Sequence, residues 1–223
     1  KEKQKIEQYS RKLEQKIVTL VGDAIESMVP ARLFAENGTV RFQINRRNND
    51  KQLLEMQTEL NGPNDHSVPV IKVENMEGKL LTVAFGYACH PVVLNFYKWS
   101  GDFPGFAQLE LEERYRGTTA MFFQGAGGDQ SALPRHGVSL AKQYGLELAS
   151  AVERVLNEQM HELSPCLSNA YGEVMLSLTG IPDENELYDL AVNASGYQKR
   201  WATRLIGALR HGDSLITDYP FPV

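Results

Sequence analysis

The chain has 223 residues, a formal net charge of −5 and a hydrophobic fraction of 42%. These values are typical of a globular protein with a substantial core, and the absence of a basic excess argues against a nucleic-acid partner. Since no apolar run approaches the roughly 20 residues that span a bilayer, no transmembrane segment is expected.

The first element is a long amphipathic helix. Apolar residues recur every three or four positions from Ile6 to Met28, and Pro30 ends the pattern. The helical pattern is already present at Lys1, and residues 219–223 have the character of a lead-in to further sequence. We therefore expect this chain to be an interior piece of a longer protein.

Strand and helix patterns alternate through the rest of the chain. The predicted strands cover residues 31–35, 40–44, 68–73, 80–87, 118–123 and 167–178. The predicted helices cover residues 106–116, 138–159 and most of 185–209. Nearly continuous apolar runs predict that the strands at 80–87 and 118–123 are interior strands. The alternation predicts an α/β fold, with a mixed β-sheet flanked by helices in a single domain segment over residues 1–223.

A histidine follows the first of these two interior strands. His90 comes directly after Cys89 and directly before Pro91, which would fix the turn that orients the imidazole. In α/β proteins, ligands gather at the carboxyl ends of strands. A neutral imidazole at that position can bind zinc or take up a proton. A structural or hydrogen-bonding role for His90 is the alternative.

A glycine-rich loop, residues 125–131, follows the second interior strand. Its small residues expose backbone amides that can hold an oxyanion, and Ser131 can act as a nucleophile beside them. The alternative is a tight turn in which Asp129 and Ser131 bond local amides.

Two further charged residues are candidates for the same site. Arg46 closes another predicted strand and can hold a carboxylate or polarise a carbonyl, although exposed arginines are common in surface turns. Asp102, in Ser100-Gly-Asp-Phe-Pro104-Gly, either orients the histidine or acts as a helix N-cap.

These motifs together resemble the neutral/alkaline non-lysosomal ceramidase family. The resemblance rests on Ala84-Phe-Gly-Tyr-Ala-Cys-His90-Pro, Ser-Gly-Asp102-Phe-Pro-Gly-Phe-Ala107, Phe-Phe-Gln-Gly-Ala-Gly-Gly-Asp129-Gln-Ser131 and the Asn45-Arg46 pair, in the family's order. It covers nearly the whole chain, as an interior section of the family's larger N-terminal catalytic domain. One departure is that Ala-Leu-Pro-Arg135 follows Ser131, where the family has Pro-Asn.

The resemblance implies a hydrolase that cleaves the amide bond of N-acylsphingosines with one zinc ion. His90 then corresponds to one of two zinc-binding histidines, Ser131 to the motif serine, and Arg46 to the arginine that lines the site. Asp102 and Asp129 correspond to supporting carboxylates. The second histidine would precede Lys1, and a glutamate and a tyrosine would follow Val223. The family also suggests export to the periplasm, the cell surface or the medium, and a substrate at a membrane surface.

We therefore expect a zinc-dependent amidohydrolase of ceramidase type that acts on an N-acylated, lipid-like substrate in sphingolipid metabolism. Ser131 and a zinc-bound water both stay open as the nucleophile. A ligand-binding domain that keeps the fold without the chemistry is the alternative from another class. A metal-free serine esterase is the third reading, for which the sequence shows no histidine–carboxylate partner of Ser131.

Overall fold

The structure, a computed structural model, describes residues 2–57 and 60–223. Lys1, which belongs to the predicted N-terminal helix, lies outside the described residues. The chain divides into two compact units, the first ending at Pro165 and the second beginning at Cys166. The single domain segment over residues 1–223 stays a prediction.

The first unit contains eleven of the helices and strands that the structure describes. In chain order they are α1 (Glu2–Glu26), β1 (Ala31–Thr39), β2 (Gln43–Asn45), α2 (Lys51–Met56), β3 (Ser67–Asn75), β4 (Leu80–Tyr87), α3 (Asp102–Arg114), β5 (Thr119–Gln124), β6 (Gln130–Ala132), α4 (Val138–Leu156) and β7 (His161–Glu162).

Five strands form one mixed sheet in the order β5-β4-β3-β1-β7. Strand β4 runs parallel to β5, whereas the other neighbours are antiparallel. Helices α3 and α4 pack against each other, α3 contacts β5, and α4 contacts β1 and β3. The predicted α/β class, with a mixed sheet flanked by helices, is confirmed.

The core of this unit lies between the sheet and α4. Six residues of α4 that recur at helical spacing are buried or pack against the core: Leu140, Tyr144, Leu148, Ala151, Val155 and Leu156. Phe42 stacks on the Tyr144 ring with 4.6 Å between the ring centroids. Offset aromatic pairs of this kind add stability beyond the area that they bury.

Helix α3 begins four residues before its predicted start. Pro104 and Gly105 have the composition of a turn, but a proline is tolerated in the first turn of a helix because its missing N–H has no partner there. The helix therefore starts at Asp102.

The interior position predicted for residues 118–123 is wrong for the part of the chain that the structure describes. Strand β5 lies at the edge of the five-stranded sheet, and Met121 and Phe123 are exposed. An apolar run indicates that both faces of a strand can be buried, but it does not determine the order of strands in the sheet. It therefore does not distinguish an edge strand from an interior one.

The N-terminal helix forms over nearly the predicted range, and none of its described residues is buried. Among the described residues, we find no helix long and apolar enough to cross a bilayer.

The second unit is smaller and has its own apolar cluster. It contains β8 (Glu173–Ser177), α5 (Glu184–Asn193), α6 (Gly196–Arg210) and β9 (Asp218–Pro222). Strands β8 and β9 pair antiparallel, and Leu187 of α5 is buried against Ala202 and Ile206 of α6. A capping box between Asp183 and Glu186 begins α5.

Candidate functional site

The candidate site is built where three strands end. His90 follows β4, and its backbone forms a one-residue parallel bridge with Ser131. The His90 N–H donates to the carbonyl oxygen of Gln130 at 3.0 Å. Since bridge partners project their side chains to the same side, the imidazole and the Ser131 hydroxyl share one face.

Ser131 is the middle residue of β6, which pairs antiparallel with β2. Its partner across the ladder is Ile44. The serine is only 3% exposed. Its Oγ is buried and has no hydrogen-bond partner among the described residues. A buried hydroxyl without a hydrogen-bond partner costs free energy.

Arg46 continues the same ladder by one residue. Its backbone N–H donates to the carbonyl oxygen of Asp129 at 2.7 Å, and its Nη2 donates to the carbonyl oxygen of Gly128 at 3.0 Å. The Nε atom is buried without a partner in the part of the chain that the structure describes. The guanidinium is therefore anchored at one nitrogen and keeps a second buried donor free for another group.

Asp129 is held from the opposite strand. Its Oδ2 accepts a hydrogen bond from Asn45 Nδ2 at 2.8 Å. The structure thus brings His90, Arg46, Asp129 and Ser131 to one end of the β2–β6 pair.

In the described structure, Asp102 neither bonds His90 nor caps α3, the two roles that the sequence suggests. It is 6% exposed, and its two carboxylate oxygens accept the N–H groups of Leu94 at 2.8 Å and Phe103 at 2.7 Å. The N-cap position of α3 belongs to Gly101, and Asp102 itself has a positive φ of 52°. No hydrogen bond joins it to His90 in the described structure. Asp102 therefore anchors the loop that follows His90.

Two backbone N–H groups of the glycine-rich loop donate hydrogen bonds to nearby carbonyl oxygens. The Gly125 N–H donates to the carbonyl oxygen of Tyr87 at 3.1 Å, and the Gly127 N–H donates to that of Gly125 at 2.7 Å. Because both N–H groups already have partners, they are not free to bind an oxyanion. Their bonds are those expected of a tight turn. A Cβ on Gly127 would lie 2.7 Å from the Cys89 nitrogen, so this position requires glycine.

Two titratable residues just before His90, Tyr87 and Cys89, are buried. Burial raises the pKa of the Cys89 thiol to about 12, and burial also raises the pKa of the Tyr87 hydroxyl. Both groups stay protonated at neutral pH. Cys89 therefore has little thiolate to act as a nucleophile.

For zinc, the described residues fit only in part. The His90 imidazole is half-buried at the strand end and can supply one nitrogen ligand. No group of three or more His, Cys, Asp or Glu residues in residues 2–57 and 60–223 is arranged to hold a metal ion. One histidine is short of the three or four protein ligands that a zinc site uses.

In the sequence, Asn45 was recognised only as part of the Asn45-Arg46 motif, and no pattern predicted that buried amides support this site. Gln43, Asn45 and Gln130 are fully or almost fully buried amides on β2 and β6. The polar–apolar–polar order of residues 43–45 was a usable signal, but such alternation usually marks polar side chains in solvent.

Comparisons of the fold identify ceramidases. A ceramidase complexed with C2 matches with a TM-score of 0.50 and 18% sequence identity, over 66% of this chain and 24% of that protein. The neutral ceramidase from Pseudomonas aeruginosa matches with a TM-score of 0.49 and 18% identity, over 84% of this chain and 32% of that protein. No model of a protein family matches the chain, and no curated protein matches it in sequence.

The resemblance to neutral ceramidases is confirmed at the level of the fold. The chain spans about a quarter of the length of the first of these two ceramidases.

Proposed function

We propose that the protein is a ceramidase-type hydrolase that cleaves an amide, or an ester, of an N-acylated, lipid-like substrate. The observation that carries the proposal is the pairing of His90 with Ser131, whose hydroxyl is buried and without a partner in the described structure. The fold similarity to a ceramidase supports the same reaction class.

In this proposal Ser131 is the nucleophile. Attack of Oγ on the acyl carbon forms a new C–O bond and moves the carbonyl π electrons onto the carbonyl oxygen as a negative charge. Collapse of this intermediate breaks the C–N (or ester C–O) bond, and the proton from Oγ leaves on the departing amine or alcohol. Water then hydrolyses the acyl–serine ester, which releases the acid and restores the hydroxyl.

Arg46 stabilises that negative charge. The Gly128 carbonyl oxygen fixes its Nη2, which leaves the buried Nε–H as a donor for the oxyanion. A charge-assisted hydrogen bond in a partly desolvated site is stronger than one in water.

His90 supplies one ligand of the proposed zinc site, and the other ligands are expected outside this sequence. Bound zinc would polarise the substrate carbonyl and lower the pKa of a coordinated hydroxyl or water. The chain's own contribution is the orientation of the imidazole by the backbone bond from His90 N–H to Gln130.

The test is the zinc content of the full-length protein, measured by elemental analysis, with hydrolysis of N-acyl amides and esters measured in parallel. We expect about one zinc per chain and turnover, both lost in His90→Ala. His161→Ala is the matched control, because His161 is exposed on β7. An intact protein without zinc and without turnover would contradict the proposal and favour the non-catalytic ligand-binding domain.

A further inference from the structure

Three buried amide side chains lie behind the candidate site. Gln43 is 1% exposed, Asn45 is 0% exposed and Gln130 is 4% exposed. Asn45 pairs with Gln130 across the ladder, and Gln43 is two residues from Asn45 along β2. Because strand side chains alternate between faces, these three share one face, and Ser131 projects to the other.

The amides hold a loop against this back face. Asn45 Nδ2 donates to the carbonyl oxygen of Pro63 at 2.9 Å, and Gln130 Nε2 donates to the same oxygen at 3.1 Å. Gln43 Nε2 donates to the carbonyl oxygen of Asp65. The turn at residues 61–65 therefore rests on the strands that bear Ser131 and precede Arg46.

Asn45 also bonds a residue of the candidate site. Its Nδ2 donates to Asp129 Oδ2 at 2.8 Å. Its Oδ1 accepts the backbone N–H groups of Arg47 and Asn48, each at 2.9 Å. One side chain thus bonds the back loop, the carboxylate of Asp129 and the turn that begins at Arg46.

The backbone of Gly62 packs closely against the Asn45 side chain. A Cβ at Gly62 would lie 2.8 Å from Asn45 Cβ and 2.8 Å from Asn49 Nδ2. The Gly62 N–H donates to Asn49 Oδ1 at 2.9 Å, and Asn49 Nδ2 donates to the Asn45 carbonyl oxygen at 2.5 Å. Such close packing leaves no room for the amide to shift without movement of the loop.

We propose that Asn45 is a positioning residue, which fixes Asp129 and the Arg46 turn relative to Ser131, and that the loop at residues 61–65 sets its position through Gly62 and Pro63. The catalytic consequence rests on the proposed function. Asn45 touches no reacting atom; it acts through Asp129 and Arg46.

The main test is Asn45→Asp in the full-length protein. This substitution keeps an oxygen for the Arg47 and Asn48 amides but removes the donor to Asp129 and Pro63, and it places a second carboxylate beside Asp129. Hydrogen exchange of the Arg46 amide is measured by NMR, because that amide bonds the Asp129 carbonyl oxygen. Asn48→Asp, on the exposed part of the same turn, is the matched control.

We expect exchange at the Arg46 amide to accelerate about 10-fold or more in Asn45→Asp, while the Val70 amide in β3 keeps its protection. We expect kcat to fall about 10- to 100-fold with KM nearly constant, because misplacement affects the reacting geometry rather than substrate binding. Gly62→Ala, which pushes on Asn45 without changing it, should alter both quantities in the same direction, and it decides the matter if Asn45→Asp does not fold.

Unchanged Arg46 exchange in both variants overturns the proposal, whatever the activity. Accelerated exchange at the Arg46 amide with unchanged kcat also overturns it, because the Asn45 side chain would then have a structural role only. A wild-type protein without turnover contradicts the proposed function alone, and the Arg46 exchange then decides whether Asn45 positions this turn.

Discussion

The backbone of His90 pairs with that of Ser131 in a bridge one residue long. The two residues are 41 positions apart in sequence; His90 follows β4, and Ser131 is the middle residue of β6. The bridge places an imidazole and a buried hydroxyl on the same side of the paired strands, and the first prediction below concerns that hydroxyl.

Ser131→Ala should lower turnover of an acyl substrate by about 10³-fold or more, because the proposed nucleophile is gone. The midpoint of thermal unfolding should stay the same or rise slightly, since the substitution removes a buried hydroxyl that has no partner in the described structure. Turnover assays and thermal melts check both, with Ser139→Ala at an exposed position of α4 as the control. Retained turnover would identify a metal-bound water as the nucleophile.

Gly127→Ala should destabilise the protein by about 1–3 kcal/mol, because the added methyl group would overlap the backbone at Cys89. Gly128→Ala is a control one residue away, since a Cβ there meets nothing within 4 Å. Denaturant unfolding measures both variants. Equal stability of the two would show that the loop does not pack on the end of β4 as described.

Asp102→Ala should cost about 2–4 kcal/mol of unfolding free energy, because two backbone N–H groups lose a charged acceptor. The residues between His90 and Asp102 should become sensitive to limited proteolysis, because their anchor at Leu94 is lost. Wild-type resistance to protease in this variant would contradict an anchoring role.

In the native protein, a thiol reagent at pH 8 should label Cys166 and spare Cys89. Cys166 is exposed and Cys89 is buried, and burial raises the pKa of the Cys89 thiol to about 12. Intact-mass analysis should find one label per chain under native conditions and a second after unfolding. Rapid native labelling of both cysteines would show that the end of β4 is open to solvent.

Alkaline pH should destabilise the protein between pH 9 and 12. In that window the unfolded Cys89 thiol ionises while the folded thiol, whose pKa is about 12, keeps its proton. The unfolded state then binds fewer protons, so the free energy of unfolding falls with rising pH by about 1.4 kcal/mol per unit for this group. Burial raises the pKa of Tyr144 to about 12 as well, which adds to the same trend above pH 10.

The Cys89→Ala variant tests this assignment by urea unfolding at several pH values. Its stability should fall less steeply between pH 9 and 12 than that of the wild-type protein. Parallel curves for the two proteins would contradict it.

The sequence alone predicted the elements whose signal is local. The periodicity of α4 and the apolar run of β4 gave bounds close to those observed, Val138–Leu156 and Leu80–Tyr87. The periodicity of α4 marks one buried face and the apolar run of β4 marks burial on both faces, and a short window of sequence contains either signal. The resemblance of the motifs to ceramidases likewise required only the order of residues along the chain.

The tertiary structure alone determined which polar groups form hydrogen bonds with one another. The bond between Asn45 and Asp129 joins residues 84 positions apart, and the back loop reaches Gln130 across 67 positions. Asp102 bonds Leu94 rather than His90, and Gly127 uses its amide within its own loop. No local pattern encodes these contacts, because a buried polar group takes whichever partner the fold brings within hydrogen-bond distance.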